Sequence, residues 1–254
     1  MSGFAADQAG IPVRPSPNFG PRRDGVRADM IVLHYTGMAS GQAAEDWLCN
    51  PQSEVSSHYI VHEDGSAVQM VREADRAWHA GRSCWAGEAD INSRSIGIEI
   101  VNPGHELGYA EFPAAQIDAV IELCRGIVTR LAIPARRVLA HSDVAPGRKI
   151  DPGEKFPWAA LAHAGVGHWV SPEPAGEHGG LCESDSGEAV KALQLLLLSY
   201  GYDLEASGRY DARTRIVVEA FQRHFRPLRV DGLADRSTIA TLQKLLAAPP
   251  DAAA

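Results

Sequence analysis

Two histidines and one aspartate occupy positions from which their side chains could meet in one cleft. His34 follows the apolar run at residues 30–33, and His141 follows a second short apolar run at residues 138–140. Asp151 comes ten positions after His141, across a loop that could return its carboxylate to both imidazoles. Two imidazoles and one carboxylate form a set that can bind zinc and leave a fourth position for water.

The same three residues also have an ordinary structural interpretation. A single histidine at the end of a strand is more often a hydrogen-bonded core residue than a metal ligand. Ligands dispersed this widely along a chain have no diagnostic spacing, so the spacing alone leaves both interpretations open.

Two further charged residues could take part in the same chemistry. Glu99 interrupts the apolar run SIGIEIV at residues 95–101, where a low dielectric would raise its pKa and suit it to move protons. Strand alternation equally permits an exposed Glu99. Lys149 precedes Asp151 by two positions, so an extended loop would point both to one side, where Lys149 could stabilise an oxyanion. The alternative for Lys149 is a solvated loop cation.

The elements that must position these residues mix strands with helices. They are a buried strand at 30–33, a helix capped by Ser40 and ending at Leu48, a hairpin of 58–61 and 67–71 turning at 63–65, a strand at 95–101, a helix opened by Pro113 and a short strand at 138–140. This order predicts an α/β fold in which helices flank a mixed central β-sheet.

A change of composition divides the chain. Residues 166–186 are rich in Gly, Pro, Glu, Ser and His, and they lack apolar periodicity, which indicates a linker. We therefore predict a first domain at 1–165 with an extended N-terminal arm, and a small all-α three-helix domain at 187–248. Its helices are expected near 187–200, 211–225 and 235–247, the last two capped by Asp211 and Asp235.

Composition limits the partners. The formal net charge of −8 argues against a broad nucleic-acid footprint. No segment reaches the ~18 apolar residues that a membrane span needs, so no membrane partner is expected. The first residues resemble neither a signal peptide nor a lipobox, which favours a cytoplasmic protein, or a periplasmic one if the N-terminus has been trimmed. The four cysteines have no paired spacing and require no oxidising compartment.

Five segments together resemble a known family. They occur in the family's order and are IVLHYTG (31–37), SSHYIVHEDG (56–65), RAWHAG (76–81), SIGIEIVNPG (95–104) and LAHSDVAPGRKIDPG (139–153). Residues 12–165 thus resemble type 2 N-acetylmuramoyl-L-alanine amidases, relatives of the peptidoglycan-recognition proteins.

The resemblance implies a role for each matching residue. It implies that His34, His141 and Asp151 are zinc ligands, that Glu99 is the catalytic acid/base and that Lys149 stabilises the oxyanion.

Other residues in the matching segments are expected near the substrate. The resemblance implies that Trp78, His79 and Asn102 line the groove, although Trp78 could pack in the core and His79 could hold a loop. His58 is expected to be structural. The remaining histidines are interpreted as surface or linker residues: His62, His105, His163, His168, His178 and His224.

Residues 185–248 resemble a three-helix peptidoglycan-binding module. The pattern consists mainly of core and capping positions, among them Leu193, Tyr202, Phe221, Asp211 and Asp235. It therefore supports the fold more firmly than the binding, and the module could bind wall polymer or serve as a packing partner of the first domain.

The expected function is zinc-dependent hydrolysis of the amide between the lactyl group of muramic acid and L-alanine. The expected substrates are peptidoglycan fragments, 1,6-anhydromuropeptides from cell-wall recycling, because a cytoplasmic enzyme does not meet the sacculus. The alternatives are a recognition module without catalysis, an amidase of intact wall, and another zinc hydrolase. The absence of an H-E-x-x-H motif disfavours the zinc proteases that bind their metal through a helix. The oligomeric state is left open.

Overall fold

The computed structural model describes residues 4–174 and 179–249, and a mixed sheet lies at the centre of that part of the chain. The strands are β1 (Phe19–Pro21), β2 (Met30–Tyr35), β3 (Tyr59–Val61), β4 (Ala67–Gln69), β5 (Asp75–Ala77), β6 (Ser95–Ile100), β7 (Val138–Ala140), β8 (Gly180–Leu181) and β9 (Ala234–Asp235). The helices are α1 (Gly41–Leu48), α2 (Ile91–Arg94), α3 (Ala114–Leu131), α4 (His141–Val144), α5 (Trp158–His163), α6 (Glu188–Tyr200), α7 (Ala212–Phe225) and α8 (Arg236–Ala247).

The central sheet has the strand order β4-β3-β6-β2-β7. Strands β3, β6, β2 and β7 run parallel, and β4 pairs antiparallel with β3 through the predicted hairpin. Helices cover both faces, as buried parallel strands require. The prediction of an α/β fold with a mixed central sheet is therefore confirmed.

The side chains of β3 alternate between two apolar clusters, one on each face of the sheet. Tyr59 and Val61 belong to the larger cluster, which includes the buried face of α3, while Ile60 packs with Ala44 and Leu48 of α1. The Ser40 hydroxyl accepts a hydrogen bond from the Ala43 amide and caps α1, as predicted.

Helices α6, α7 and α8 form the C-terminal module, which keeps the predicted caps. The Asp211 carboxylate accepts from the Thr214 amide at 2.8 Å, and the Asp235 carboxylate accepts from the Thr238 amide at 2.7 Å. Each cap satisfies an amide that has no partner within its helix.

The beginning of the predicted linker packs into the core. Val166, His168 and Trp169 are buried, and His168 Nδ1 lies 2.9 Å from the Tyr200 hydroxyl. The interpretation of His168 as a surface or linker residue is therefore wrong, and the same holds for His224, which is also buried. Composition could not predict the burial of these two histidines, because a polar ring can be buried when a distant part of the chain supplies its hydrogen-bond partner. His178 lies outside the described residues.

Among the described residues, no helix has both the length and the apolar character that crossing a membrane requires.

Candidate active site

Three parallel strands bring three of the predicted site residues, His34, Glu99 and His141, to one edge of the sheet. His34 at the end of β2 is the direct partner of Glu99 in β6, so the two side chains share one face. Leu33 is paired with Ala140 at the end of β7, and His141 follows immediately. The carboxyl ends of parallel strands are where open α/β sheets form their sites.

The side chains of His34, His141 and Asp151 converge on one point. His34 Nδ1 lies 2.8 Å from His141 Nδ1 and 3.1 Å from Asp151 Oδ2, and the latter two atoms are 3.0 Å apart. Three ligand atoms on a tetrahedral ion with bonds of about 2.0 Å would be about 3.3 Å apart. The three atoms therefore fit one face of a tetrahedral metal site, and all three residues are buried.

Hydrogen bonds on the far side of each imidazole set its tautomer. His141 Nε2 lies 3.1 Å from the Ala80 carbonyl oxygen, which can only accept, so this nitrogen carries the proton. The Nδ1 atom of His141 is then left with its lone pair directed at Asp151. An outer hydrogen bond of this kind is typical of metal-binding histidines.

A longer relay has the same effect on His34. The Ser95 hydroxyl donates to the Ile91 carbonyl at 2.6 Å and therefore accepts from His79 Nε2 at 3.1 Å. The proton on Nε2 makes His79 Nδ1 an acceptor, 2.9 Å from His34 Nε2. His34 thus donates through Nε2 and keeps the lone pair of Nδ1 toward the cluster. The lone pairs of His34 Nδ1, His141 Nδ1 and Asp151 Oδ2 therefore face one another, and a bound cation would relieve the repulsion between them.

The protonation states agree with this geometry. Burial, and after it the neighbouring His141, lower the pKa of His34 to about 4, so its ring is neutral near pH 7. Burial alone would raise the pKa of Asp151, but the neighbouring His141 and His34 outweigh that effect, because a proton bound in this cluster rests on an imidazole rather than on the carboxyl group; the pKa of Asp151 therefore lies well below its usual range. Neutral imidazoles and an ionised carboxylate are the forms that bind metals.

Glu99 faces the same cleft in a different state. Its Oε2 atom is buried and has no hydrogen-bond partner within residues 4–174 and 179–249. Burial, followed by the nearby Asp151, raises the pKa of Glu99 well above its usual value, while Lys149 opposes the shift. A carboxyl group with a raised pKa can accept and return a proton near neutral pH.

The cleft around these residues has a volume of about 530 Å³ and a lining of mixed chemistry. Trp47 and Trp78 contribute aromatic surface, whereas Arg148 and Lys149 contribute positive charge. Lys149 is exposed and lines the cleft together with Asp151, the placement that the sequence predicted.

The three expected substrate-groove residues have different surroundings. Trp78 and His79 line the cleft, and His79 also contacts the zinc-ligand candidate His34. Asn102 is buried and its side chain holds a loop, while its role at the substrate groove stays a prediction. Its amide donates to the Ala110 carbonyl at 3.0 Å, and its Oδ1 accepts from the Gly104 amide at 3.0 Å.

Sequence reasoning missed two groups at the cleft. Arg148 donates to the carbonyls of Arg82 and Ala80 and so fixes the acceptor of His141. His105 also lines the cleft, with Nδ1 3.1 Å from the Tyr35 hydroxyl, rather than being a residue of the free surface. In the sequence, the only feature that could have indicated a place for Arg148 at the cleft was its position next to Lys149. No sequence feature indicated such a place for His105.

Two family models match the chain. Residues 24–154 match the model described as N-acetylmuramoyl-L-alanine amidase. Residues 186–242 match a model named for peptidoglycan binding.

Individual proteins are similar over greater lengths. The N-acetylmuramoyl-L-alanine amidase AmiD of Escherichia coli (strain K12) is 36% identical over 237 residues, which cover 87% of this chain and 83% of the relative. The 1,6-anhydro-N-acetylmuramyl-L-alanine amidase AmpD of Citrobacter freundii is 32% identical over 162 residues, or 57% of this chain and 84% of the relative.

A solved structure has the same fold. The complex of E. coli AmiD with the substrate anhydro-N-acetylmuramic acid-L-Ala-D-γ-Glu-L-Lys superposes with a TM-score of 0.76 at 35% identity, covering 94% of both chains. The matching model, the relative that is similar over 87% of this chain and this shared architecture show that the chain belongs to the N-acetylmuramoyl-L-alanine amidase family, whose members are hydrolases of peptidoglycan.

Proposed function

We propose that this enzyme is a zinc-dependent amidase that releases the stem peptide from 1,6-anhydromuropeptides in cell-wall recycling. The observation that carries the proposal is the convergence of His34 Nδ1, His141 Nδ1 and Asp151 Oδ2 within 3.1 Å, with the outer nitrogen of both rings already hydrogen-bonded. Three such ligands suit zinc and leave one position for water or substrate.

The metal would be held by His34, His141 and Asp151. When bound there, zinc supplies Lewis-acid polarisation of the scissile carbonyl and makes water more acidic.

Glu99 moves the proton in the proposed reaction. Its carboxylate takes a proton from the attacking water as the oxygen–carbon bond forms. It then returns that proton to the alanine nitrogen as the carbon–nitrogen bond breaks, which yields a free amino group and the lactyl carboxylate. The raised pKa of Glu99 suits both steps.

Lys149 stabilises the negative charge that develops on the carbonyl oxygen. Its ammonium group stands at the cleft with the ligand residues, and it can donate hydrogen bonds to an oxyanion. Trp47 and Trp78 offer apolar surface for the sugar ring and lactyl methyl group, and Trp78 is the substrate contact expected from the sequence.

The substrate class is supported by the relatives. AmpD of Citrobacter freundii carries the anhydro sugar in its name, and the AmiD complex holds an anhydromuramoyl tripeptide. Recycled fragments of the same chemistry are the proposed substrates here. The cytoplasmic location expected from the sequence is part of this proposal, and cell fractionation would test it.

Intact cell wall is the second candidate substrate. The match of residues 186–242 to a model named for peptidoglycan binding favours it, because such a module would hold polymer. The two candidates share one bond and one mechanism and differ in the size of the substrate.

The bond cleaved can be tested by mass spectrometry. Purified protein incubated with an anhydromuropeptide should accumulate free stem peptide and peptide-free anhydromuramic sugar in equal amounts. Cleavage between sugars, or within the stem peptide, would contradict the proposal.

Rates on two substrates separate recycling from wall degradation. We expect a higher kcat/KM on anhydromuropeptides than on intact sacculi at equal concentrations of scissile bond. A preference for sacculi would favour the second candidate. Metal analysis of protein purified without added zinc is the companion measurement, because a metal-free protein that binds muropeptides without cleaving them would be a recognition module.

A further inference from the structure

Helix α7 of the C-terminal module runs beside the loop that carries the site. Arg213 donates to the Pro146 carbonyl at 3.2 Å. Ile216 packs so closely on the same loop that a Cβ atom on Gly147 would lie 2.8 Å from Ile216 Cγ2. Both contacts fall between His141 and Asp151, so the module touches the segment that joins two of the metal-ligand candidates.

A fully buried carboxylate connects the module to that segment. Asp143 Oδ1 accepts from the Tyr202 hydroxyl at 2.6 Å, and Oδ2 accepts from His224 Nδ1 at 2.6 Å. Both partners belong to the module, 59 and 81 positions away from Asp143. Asp143 Oδ2 also accepts from the Ala140 amide at 2.8 Å, which fixes the short helix α4 at its start.

Helix α4 contains one of the three metal-ligand candidates and is hydrogen-bonded to the backbone of a second. His141 is its first residue, and the Ser142 amide donates to the Asp151 backbone carbonyl at 3.0 Å. The position of α4 therefore sets His141 directly and Asp151 through the backbone.

The surroundings make these bonds costly to lose. The His224 ring stacks on Trp158 with centroids 3.7 Å apart, and Trp85 meets Tyr202 edge-on at 4.9 Å. Water cannot readily replace a lost partner in such a place, and a buried carboxylate without its partners is strongly unfavourable. Helix α4 would then have to move so that water could reach Asp143.

We propose that the C-terminal module is a support of the active site, in which Tyr202 and His224 position His141 and Asp151 through Asp143. This inference rests on the proposed metal site. It gives the module a role in the chemical step that does not depend on binding the wall. Tyr202, His224 and Asp143 are positioning residues, since none of them touches the metal-ligand atoms.

A matched pair of tyrosine variants in the full chain tests the proposal. Tyr202→Phe removes the bond to Asp143, and Tyr210→Phe removes an equally buried bond of 2.7 Å to the Gly232 carbonyl inside the module. We expect similar losses of thermal stability from both changes. Only Tyr202→Phe should weaken zinc binding, measured by chelator competition, and lower kcat, each by roughly 10-fold, with KM on an anhydromuropeptide unchanged.

A second variant tests the same proposal in case Tyr202→Phe does not fold. Arg213→Met removes the contact with Pro146 at a partly exposed position and should lower zinc affinity in the same direction. Equal zinc affinity and kcat in Tyr202→Phe and Tyr210→Phe would overturn the inference, as would a loss confined to binding of sacculi. Those outcomes differ from failure of the proposed function, which wild-type protein lacking zinc or amidase activity would reveal.

Discussion

At the scale of single residues, the site keeps two carboxyl groups in opposite states. The neighbouring imidazoles hold the pKa of Asp151 far below its usual range, whereas burial raises that of Glu99. Environments that separate the pKa values of neighbouring acids assign them different roles. Asp151 is suited to bind a cation, and Glu99 is suited to exchange a proton.

Replacing Glu99 by glutamine tests this assignment. Glu99→Gln keeps the shape of the side chain and removes the proton acceptor, so kcat should fall by about 10²- to 10⁴-fold while bound zinc is retained. Steady-state kinetics and metal analysis would measure both quantities. Glu106→Gln is the control, because Glu106 lines the same cleft and is exposed, and it should change kcat little. Retention of more than a tenth of the activity in Glu99→Gln would exclude the proposed role.

At the scale of secondary-structure elements, strand β6 and His79 lie in close contact. A Cβ atom on Gly97 would lie 2.4 Å from His79 Cγ, so only glycine lets the ring lie against the strand. In that position His79 Nδ1 accepts a hydrogen bond from His34 Nε2. Because Gly97 has no side chain, the strand leaves room for His79, which in turn orients His34.

Gly97→Ala should consequently weaken the metal site. The added methyl group displaces His79, and loss of its bond to His34 should lower zinc affinity by about 10- to 100-fold. Chelator competition would measure the change. Gly20→Ala in β1 is the control, since a Cβ there meets nothing within 4 Å. Unchanged zinc affinity in Gly97→Ala would show that the His79 relay does not position His34.

The segment after α5 joins the module to the rest of the core and carries a buried histidine. Burial, followed by nearby Arg136 and His224, lowers the pKa of His168 to about 4. In the unfolded chain this ring has a pKa near ~6.5. Below that value the unfolded state binds a proton that the folded state refuses, so acid destabilises the fold.

The pH dependence of stability tests this effect. The contribution of neutral His168 to the free energy of unfolding is complete above pH ~6.5 and is lost as the pH falls toward ~4. The loss amounts to about 2 kcal/mol at pH 5. His168→Asn keeps a polar atom for Tyr200 and removes the titration. Denaturant unfolding at pH 7 and pH 5 should therefore show a smaller loss for the variant than for the wild type. Parallel losses would mean that His168 is protonated in the folded state.

At the scale of the whole molecule, the catalytic part and the C-terminal module share one hydrophobic core. The apolar cluster that contains Ile31 and Ile98 of the central sheet continues to Leu197, Phe221 and Leu242 of the module. Polar contacts join the same two parts, including the bond of 2.9 Å that Arg136 donates to the Leu245 carbonyl at the end of α8. Two parts with a common core are expected to unfold together.

Calorimetry of the full chain should give one unfolding transition. We expect the calorimetric and van't Hoff enthalpies to agree, because exposing the module would also expose the core beneath it. Two resolved transitions would contradict the shared core. Tyr202→Phe should shift the one transition to lower temperature without splitting it.

Much of the fold could be predicted because its signals are local. Apolar runs marked β2 and β6, periodicity marked α3, and Asp211 and Asp235 marked the starts of the last two helices. His34, Glu99, His141, Lys149 and Asp151 could be singled out as well, since five matching segments support one another. The burial of Asn102 and its hydrogen bonds to a loop could not be predicted, because position in a matching segment does not say which way a side chain points.

The sequence by itself therefore determined the family, the elements and the candidates for chemistry, because motifs, caps and periodicity depend on near neighbours. Tertiary structure alone decided how those candidates act together. The tautomers of His34 and His141 depend on Ser95, His79 and Ala80, which are brought to them by packing. The burial of Asp143 by Tyr202 and His224 depends on docking of the module across a stretch that composition marked as a linker. Such contacts arise from packing between distant segments, and no local pattern encodes them.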